Sequence, residues 1–134
     1  RFQIVHIRGR GNLDIGIHKT GYIQYEFLDE YLPHVYAISD LVVSRGGANS
    51  LAEIAYLKKR ALIIPLGTNV SRGDQIENAK LFAQKFGWNV LLGNISREDF
   101  INAIGKAFKE HVKFIGMLKN GASAIANLIL KTGK

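Results

Sequence analysis

The sequence has 134 residues, of which 47% are hydrophobic and 22% are charged, the balance of one ordinary globular domain with a single core. No apolar run approaches the roughly 20 residues that cross a bilayer, and the lack of cysteine excludes disulfide scaffolds, thiolate metal sites and cysteine nucleophiles. A formal net charge of +7 suits an anionic partner, such as nucleic acid, a membrane surface or a phosphorylated ligand, without choosing among them.

Short β-branched runs alternate with helical patterns along the chain. Strands are predicted at 2–7, 22–25, 41–43, 61–64 and 89–92. Helices are predicted at 32–38, 51–59, 75–86, 97–109 and 122–131. Such alternation implies parallel strands joined by crossovers, hence an α/β domain with an open sheet covered by helices on both faces. Ligands of such sheets bind at the carboxyl ends of the strands.

Two helix ends carry clear sequence signals. Gly87 follows the third helix and is predicted to end it in the left-handed conformation. Ser96 is predicted to cap the fourth helix, with Asp99 three residues on.

The loop after the third strand, Ser44 to Ser50, is the strongest candidate for a binding site. Gly46 and Gly47 allow a tight turn and a close approach of ligand, and the following residues open a helix whose N–H groups favour an anion. The pattern is neither a P-loop nor a dinucleotide fingerprint, and a purely structural turn would look the same. The loop is therefore either a diphosphate cradle or an ordinary strand-to-helix turn.

Ser50 and Glu53 stand in the Ser-x-x-Glu relation, for which two interpretations remain open. They form a capping box in the first, with Ser50 at the N-cap of the helix. In the second, Ser50 donates to a phosphate and Glu53 accepts the two hydroxyls of a ribose.

A polar segment after the fourth strand, 68–79, runs into the third helix. Asp74 and Gln75 offer acceptors and donors for sugar hydroxyls at the carboxyl end of a strand. The alternative is that Ser71 and Asp74 only cap the helix.

A basic stretch, Arg8 to Asn12, follows the first strand and either lines the same cleft or is a solvated turn. The sequence lacks the order of a Ser-His-Asp triad and a zinc-binding helix, and its four histidines are too scattered for a metal site. These features favour binding over catalysis, with no metal and no cofactor.

Taken together, these segments resemble the C-terminal domain of the MurG family of N-acetylglucosaminyltransferases, which convert lipid I to lipid II in bacterial peptidoglycan synthesis. The matching segments, in order, are 6–12, 27–30, 44–50, Glu53, 64–66 and 71–79. The resemblance implies a Rossmann-like sheet, one half of a two-domain GT-B glycosyltransferase, that binds UDP-N-acetylglucosamine. The donor-binding residues that it implies are Leu28 for the uracil, Gly47, Ala48, Asn49 and Ser50 for the diphosphate, Glu53 for the ribose, and Asp74 and Gln75 for the sugar.

Nothing in the sequence matches the first strand and phosphate loop with which that family's domain begins, and the chain starts within an apolar run. We therefore expect residues 1–134 to be a soluble part of the donor-binding domain, inactive without an N-terminal acceptor domain that supplies the catalytic base. The resemblance implies an inverting transfer to a lipid-linked acceptor, by a protein bound peripherally to the anionic cytoplasmic face of the bacterial plasma membrane.

Three other functions remain open on the sequence. The first is the UDP-sugar-binding domain of another GT-B transferase, including the split kind that joins a separate membrane partner. The second is a basic nucleic-acid-binding module, and the third is an inactive α/β interaction domain. Basic residues spread among acidic ones, rather than clustered with aromatics, disfavour nucleic acid as a partner.

Overall fold

A computed structural model of the protein describes residues 2–67, 73–110 and 112–113. The chain divides into two compact units, Arg1–Ser39 and Asp40–Lys134. Among the described residues, no helix has the length and apolar character needed to cross a membrane.

The first unit is built on two parallel strands. β1 (Ile4–Ile7) pairs with β2 (Tyr22–Tyr25), with Ile4 opposite Tyr22 and Ile7 opposite Tyr25. A 3-10 helix (Asp29–Tyr31) and α1 (Leu32–Ile38) follow. α1 accommodates a proline in its first turn, where the missing N–H has no intrahelical partner to lose.

The second unit is a three-stranded parallel sheet with its connecting helices. Its elements are β3 (Val42–Ser44), α2 (Ala48–Tyr56), β4 (Ala61–Ile63), α3 (Asp74–Phe86), β5 (Asn89–Val90) and α4 (Arg97–Lys109). The strand order is β3-β4-β5, and both pairs are parallel. All three residues of β4 are buried, as expected of an apolar strand between two neighbours.

The core of the second unit lies around β4. α2 contributes Leu51 and Ile54, both fully buried, and it packs against α3. Phe86 at the end of α3 stacks on Trp88, with 5.2 Å between ring centroids. α4 packs on β4 and β5. This core fixes where the ends of β3 and β4, and the helices that follow them, are placed.

The predicted α/β class with open parallel sheets is confirmed. The left-handed Gly87 (φ 72°) and the Ser96 cap, in which Asp99 completes a capping box, are confirmed as well. Several boundaries were predicted incorrectly: β1 begins at Ile4, β3 covers Val42–Ser44, β4 ends at Ile63, β5 ends at Val90, α2 covers Ala48–Tyr56 instead of 51–59, and α3 begins at Asp74. The helix predicted at 122–131 lies outside the described residues.

Candidate functional site

The two glycines of the loop between β3 and α2 have different backbone conformations. Gly46 has a φ of +100°, which L side chains rarely adopt, so glycine is needed there for the backbone itself. Gly47 is the N-cap of α2, with an extended backbone (φ −65°, ψ 130°) that any residue can adopt. A β-carbon added at Gly47 would meet no heavy atom of a described residue within 4 Å. The conformation therefore does not require glycine at Gly47, and the described residues leave the space beside it open.

The start of α2 presents three backbone N–H groups. The first intrahelical bond runs from the Leu51 N–H to the Gly47 carbonyl, at 3.0 Å. Helix geometry therefore leaves the N–H groups of Ala48, Asn49 and Ser50 without an acceptor inside the helix, and no other described residue accepts from them. Together with the helix dipole, these groups form a site suited to an anion.

The capping box predicted for Ser50 and Glu53 does not form. Because α2 begins at Ala48, Ser50 is the third helical residue rather than the N-cap, and the N-cap has no side-chain hydrogen bond. Glu53 is exposed, and its carboxylate contacts no cation or donor among the described residues. It lies on the same helix face as Ser50, about 4.5 Å further along the axis, and outside the buried stripe of α2. Its carboxylate is thus available to a ligand bound at the helix start.

The start of α3 is organised by its own polar side chains. Gly73 is the N-cap, with a φ of +83° and no side-chain cap. The Asp74 carboxylate accepts the Gln75 N–H at 2.9 Å, and the side-chain oxygen of Gln75 accepts the Leu66 N–H at 3.1 Å. Asp74 is therefore not the N-cap of α3, and Ser71, the other predicted cap, lies outside the described residues. Asp74 keeps its second carboxylate oxygen, and Gln75 keeps its side-chain N–H₂, for other partners.

The two loops meet at Gly46. A β-carbon at Gly46 would lie 2.5 Å from the carbonyl oxygen of Gln75, which means that the two backbones are in direct contact. Asn78, one turn into α3, donates a long hydrogen bond of 3.5 Å to the Gly46 carbonyl. The glycine loop and the Asp74-Gln75 pair are therefore neighbours in the structure.

Leu28, the predicted uracil contact, belongs to the first unit. Its side chain is buried, and its carbonyl accepts the Tyr31 N–H at 2.6 Å. Its own N–H has no acceptor among the described residues. The residue thus presents a free donor beside a carbonyl with one remaining lone pair.

Two residues that shape the second-unit loops are not singled out by the sequence patterns. The pattern does not distinguish Gly46 from Gly47, although only Gly46 is required by the packing. Asn78 follows Gln75 by three residues and so shares its helix face, and that spacing is the signal that indicates it. In the part of the chain that the structure covers, no three histidine or acidic side chains converge as a metal site would require.

The family model and the curated relatives that match this chain agree with each other. The family model of the glycosyltransferase family 28 C-terminal domain matches residues 1–131. The chain is 42% identical over 130 residues to the UDP-N-acetylglucosamine--N-acetylmuramyl-(pentapeptide) pyrophosphoryl-undecaprenol N-acetylglucosamine transferase of Clostridium novyi (strain NT), covering 95% of this chain and 35% of that protein. It is 39% identical over 134 residues to the transferase of the same name from Clostridium tetani (strain Massachusetts / E88), covering 96% of this chain and 37% of that protein.

The chain spans about a third of the length of these curated relatives. No solved structure gives a significant match. Because the family model covers nearly every residue, the chain belongs to the glycosyltransferase family 28 C-terminal domain family.

Proposed function

We propose that this chain binds UDP-N-acetylglucosamine as the donor domain of a MurG-type N-acetylglucosaminyltransferase. The proposal rests on the family match and on relatives whose names specify this donor. The whole protein would transfer N-acetylglucosamine to undecaprenyl-diphospho-muramoylpentapeptide, giving lipid II. We place the catalytic base outside residues 1–134, in an acceptor domain.

One observation carries the proposal: three N–H groups with no acceptor among the described residues open α2 beside Gly47, and a carboxylate that no described residue contacts lies one turn further on. Ala48, Asn49 and Ser50 would bind the diphosphate, which could approach closely because Gly47 has no side chain. Glu53 would accept the two ribose hydroxyls. When the bond between the sugar and UDP breaks, the diphosphate gains a negative charge, and the same N–H groups and helix dipole would stabilise it.

Three further residues would recognise the base and the sugar. The free N–H of Leu28 and the remaining lone pair of its carbonyl match the acceptor and donor that one edge of uracil presents. Asp74 and the side-chain N–H₂ of Gln75 would contact the sugar hydroxyls. The side-chain oxygen of Gln75 already accepts the Leu66 N–H, so Gln75 would contact the sugar as a hydrogen-bond donor through its side-chain N–H₂.

The acceptor and the membrane would be partners of the whole protein. A net charge of +7 supports attraction to an anionic membrane surface, where a lipid-linked acceptor resides. We accordingly propose a peripheral location on the cytoplasmic face of the bacterial plasma membrane, and no nucleic-acid partner.

Calorimetry on the chain tests the proposal, with UDP and 2′-deoxy-UDP as ligands. We expect UDP to bind more tightly than its deoxy analogue, and Glu53→Ala to weaken UDP by about tenfold or more, the loss of hydrogen bonds to a charged group. The decisive result is that Glu53→Ala should bind both ligands nearly equally, because the carboxylate that reads the ribose hydroxyls is gone.

Glu77→Ala is the matched control, since it removes another exposed carboxylate from a helix of the same unit. Equal losses in both variants would indicate an effect of general charge. Undetectable UDP binding, together with strongly salt-dependent binding to DNA, would instead support the nucleic-acid-binding alternative.

A further inference from the structure

A tight turn with an arginine at its tip follows β1 in the first unit. The Asn12 N–H donates to the Gly9 carbonyl at 3.2 Å and closes the turn. Gly9 (φ +84°) and Gly11 (φ +69°) both adopt the left-handed conformation, and Arg10 lies between them. The backbone on either side of Arg10 is thus fixed by glycines that few other residues could replace.

Glu26, which follows β2, holds this turn from the neighbouring strand. Its carboxylate accepts the Gly11 N–H at 2.7 Å, and its backbone carbonyl accepts the Gly9 N–H at 3.1 Å. The Asn12 side chain donates to the Arg10 carbonyl at 3.1 Å. A short hydrogen bond to an ionised acceptor is among the stronger kinds, so the turn is well anchored.

The other arginine of this stretch is engaged elsewhere. Arg8 donates to the side-chain oxygen of Gln24 at 3.0 Å, and the same amide exchanges two further hydrogen bonds with the backbone of Asp14. Arg8 is therefore part of the scaffold of the loop, which leaves Arg10 as the arginine at its tip.

Arg10 lies over an aromatic ring next to the proposed base contact. The carbon at the centre of its guanidinium is 5.6 Å from the centroid of the Phe27 ring, a cation–π arrangement. Phe27 is 47% exposed, so the ring is not held by a surrounding core. It immediately precedes Leu28, whose backbone N–H has no acceptor in the part of the chain that the structure describes.

We propose that Arg10 is a positioning residue for nucleobase recognition: by stacking on Phe27 it fixes the backbone of Leu28 for the base, and it does not bind the diphosphate. This inference rests on the proposed function. Glu26 anchors the turn, Arg10 restrains the ring, and the ring restrains the peptide that follows it. The consequence is that Arg10 contributes to the affinity for the base and not to the affinity for the phosphates.

The test compares UDP with inorganic pyrophosphate on the whole chain, the latter measured by its displacement of UDP. We expect Arg10→Ala to weaken UDP by about two- to fivefold, the fold-change equivalent of one exposed cation–π contact, and to leave pyrophosphate unchanged. Arg10→Lys keeps a cation over the ring and should restore most of the UDP affinity. Lys19→Ala is the matched control, because it removes an exposed cation from the same unit and should affect neither ligand.

Protection of the Gly11 amide from hydrogen exchange reports separately on the turn, and we expect it to persist in Arg10→Ala because Glu26 holds it. Equal losses for UDP and pyrophosphate would overturn the inference and make Arg10 a phosphate ligand. Unchanged UDP binding in Arg10→Ala would overturn it as well. A wild-type chain that binds no UDP would refute the proposed function itself, which distinguishes that failure from the failure of Arg10 alone.

Discussion

The backbone of Gly46 lies against that of Gln75, so closely that a β-carbon on Gly46 would be 2.5 Å from the Gln75 carbonyl oxygen. This contact joins the turn that opens α2 to the turn that opens α3. Since both turns follow neighbouring strands of one parallel sheet, the contact fixes the helix starts at its carboxyl edge. The spacing between the first N–H groups of α2 and the Asp74-Gln75 pair depends on it.

Alanine substitutions of the two adjacent glycines should have very unequal effects on stability. Gly46→Ala introduces a clash with backbone and a strained positive φ, and we expect it to lower the free energy of unfolding by at least about 2 kcal/mol. Gly47→Ala has open space and an ordinary φ, so we expect a change within about 0.5 kcal/mol. Urea denaturation of the two variants measures the difference.

Gly47→Ala, which should hardly change stability, should nevertheless weaken UDP binding. The β-carbon of Gly47→Ala would stand beside the N–H groups of α2, so we expect a stably folded protein whose UDP affinity falls by the equivalent of about 1–3 kcal/mol of steric cost. Gly47→Ala with wild-type UDP affinity would contradict the proposal that a diphosphate approaches this glycine.

The oxygen and the N–H₂ group of the Gln75 side chain should have separate roles, the first in stability and the second in sugar binding. Gln75→Met removes the acceptor of the Leu66 N–H, and we expect it to lower the free energy of unfolding by about 1 kcal/mol or more. Gln75→Glu keeps an acceptor for Leu66 but loses the N–H₂ donor, so its stability should stay closer to that of the wild type. Its preference for UDP-N-acetylglucosamine over UDP should fall. Thermal unfolding and calorimetry with both ligands check these outcomes, and a preference unchanged in Gln75→Glu would remove Gln75 from the sugar contact.

The elements and their order were predictable from the sequence because each is specified locally. The apolar run of β4, the left-handed Gly87 and the Ser96–Asp99 cap all lie within a few residues of their signal. The start of α2 was not predictable in the same way. The Ser-x-x-Glu pattern favours a cap at Ser50, but Gly46 brings the chain into the helix three residues earlier by packing on Gln75.

The finer features of the candidate site depend on contacts between distant residues. Asn78 reaches Gly46 across 32 positions, and Arg10, in the turn after β1, stacks on Phe27, which follows β2. Sequence spacing within one element cannot reveal such pairs, although it did place Asp74 and Gln75 at the correct edge of the sheet. The roles of Leu28 and Glu53 rest on the resemblance, and the geometry adds that each has a polar group left available.

Lys58 ends α2 in a conformation that favours glycine. Its φ is +54°, and the N–H groups of Lys58 and Lys59 donate to Ala55 and Ile54, the two-bond pattern of a Schellman motif. A side chain in the left-handed region costs about 1–2 kcal/mol, and glycine adds about 0.4–1 kcal/mol of unfolded-chain entropy, so we expect Lys58→Gly to stabilise by roughly 0.5 kcal/mol. The melting temperature would rise by about 2 °C. Lys58→Ala retains the β-carbon and the strain. An equally large rise in melting temperature in that variant would show that the lost charge, and not the backbone conformation, causes the stabilisation.

The capping box of α4 should make a pH-dependent contribution to stability. Hydrogen bonds from the side chain and then the backbone of Ser96 lower the pKa of Asp99 below its ordinary value of 3.8. Because the folded pKa is depressed, the stabilisation is present above the unfolded pKa and is lost as the pH falls through the folded pKa. We therefore expect the wild type to exceed Asp99→Asn in urea midpoint at about pH 6, and this difference to shrink as the pH falls below the ordinary value of 3.8.

Glu98→Gln provides the matched comparison, since Glu98 is an acidic residue of the same first turn that is not part of the box. Both carboxylates interact favourably with the helix dipole. Of the two, Asp99 accepts from the N-cap residue, at 2.6 Å from the hydroxyl and 3.1 Å from the N–H. Asp99→Asn should accordingly have a lower urea midpoint than Glu98→Gln at about pH 6, because it weakens the hydrogen bonds of the box as well as removing the charge. Equal midpoints in the two variants would show that the dipole, and not the capping box, accounts for the contribution of Asp99.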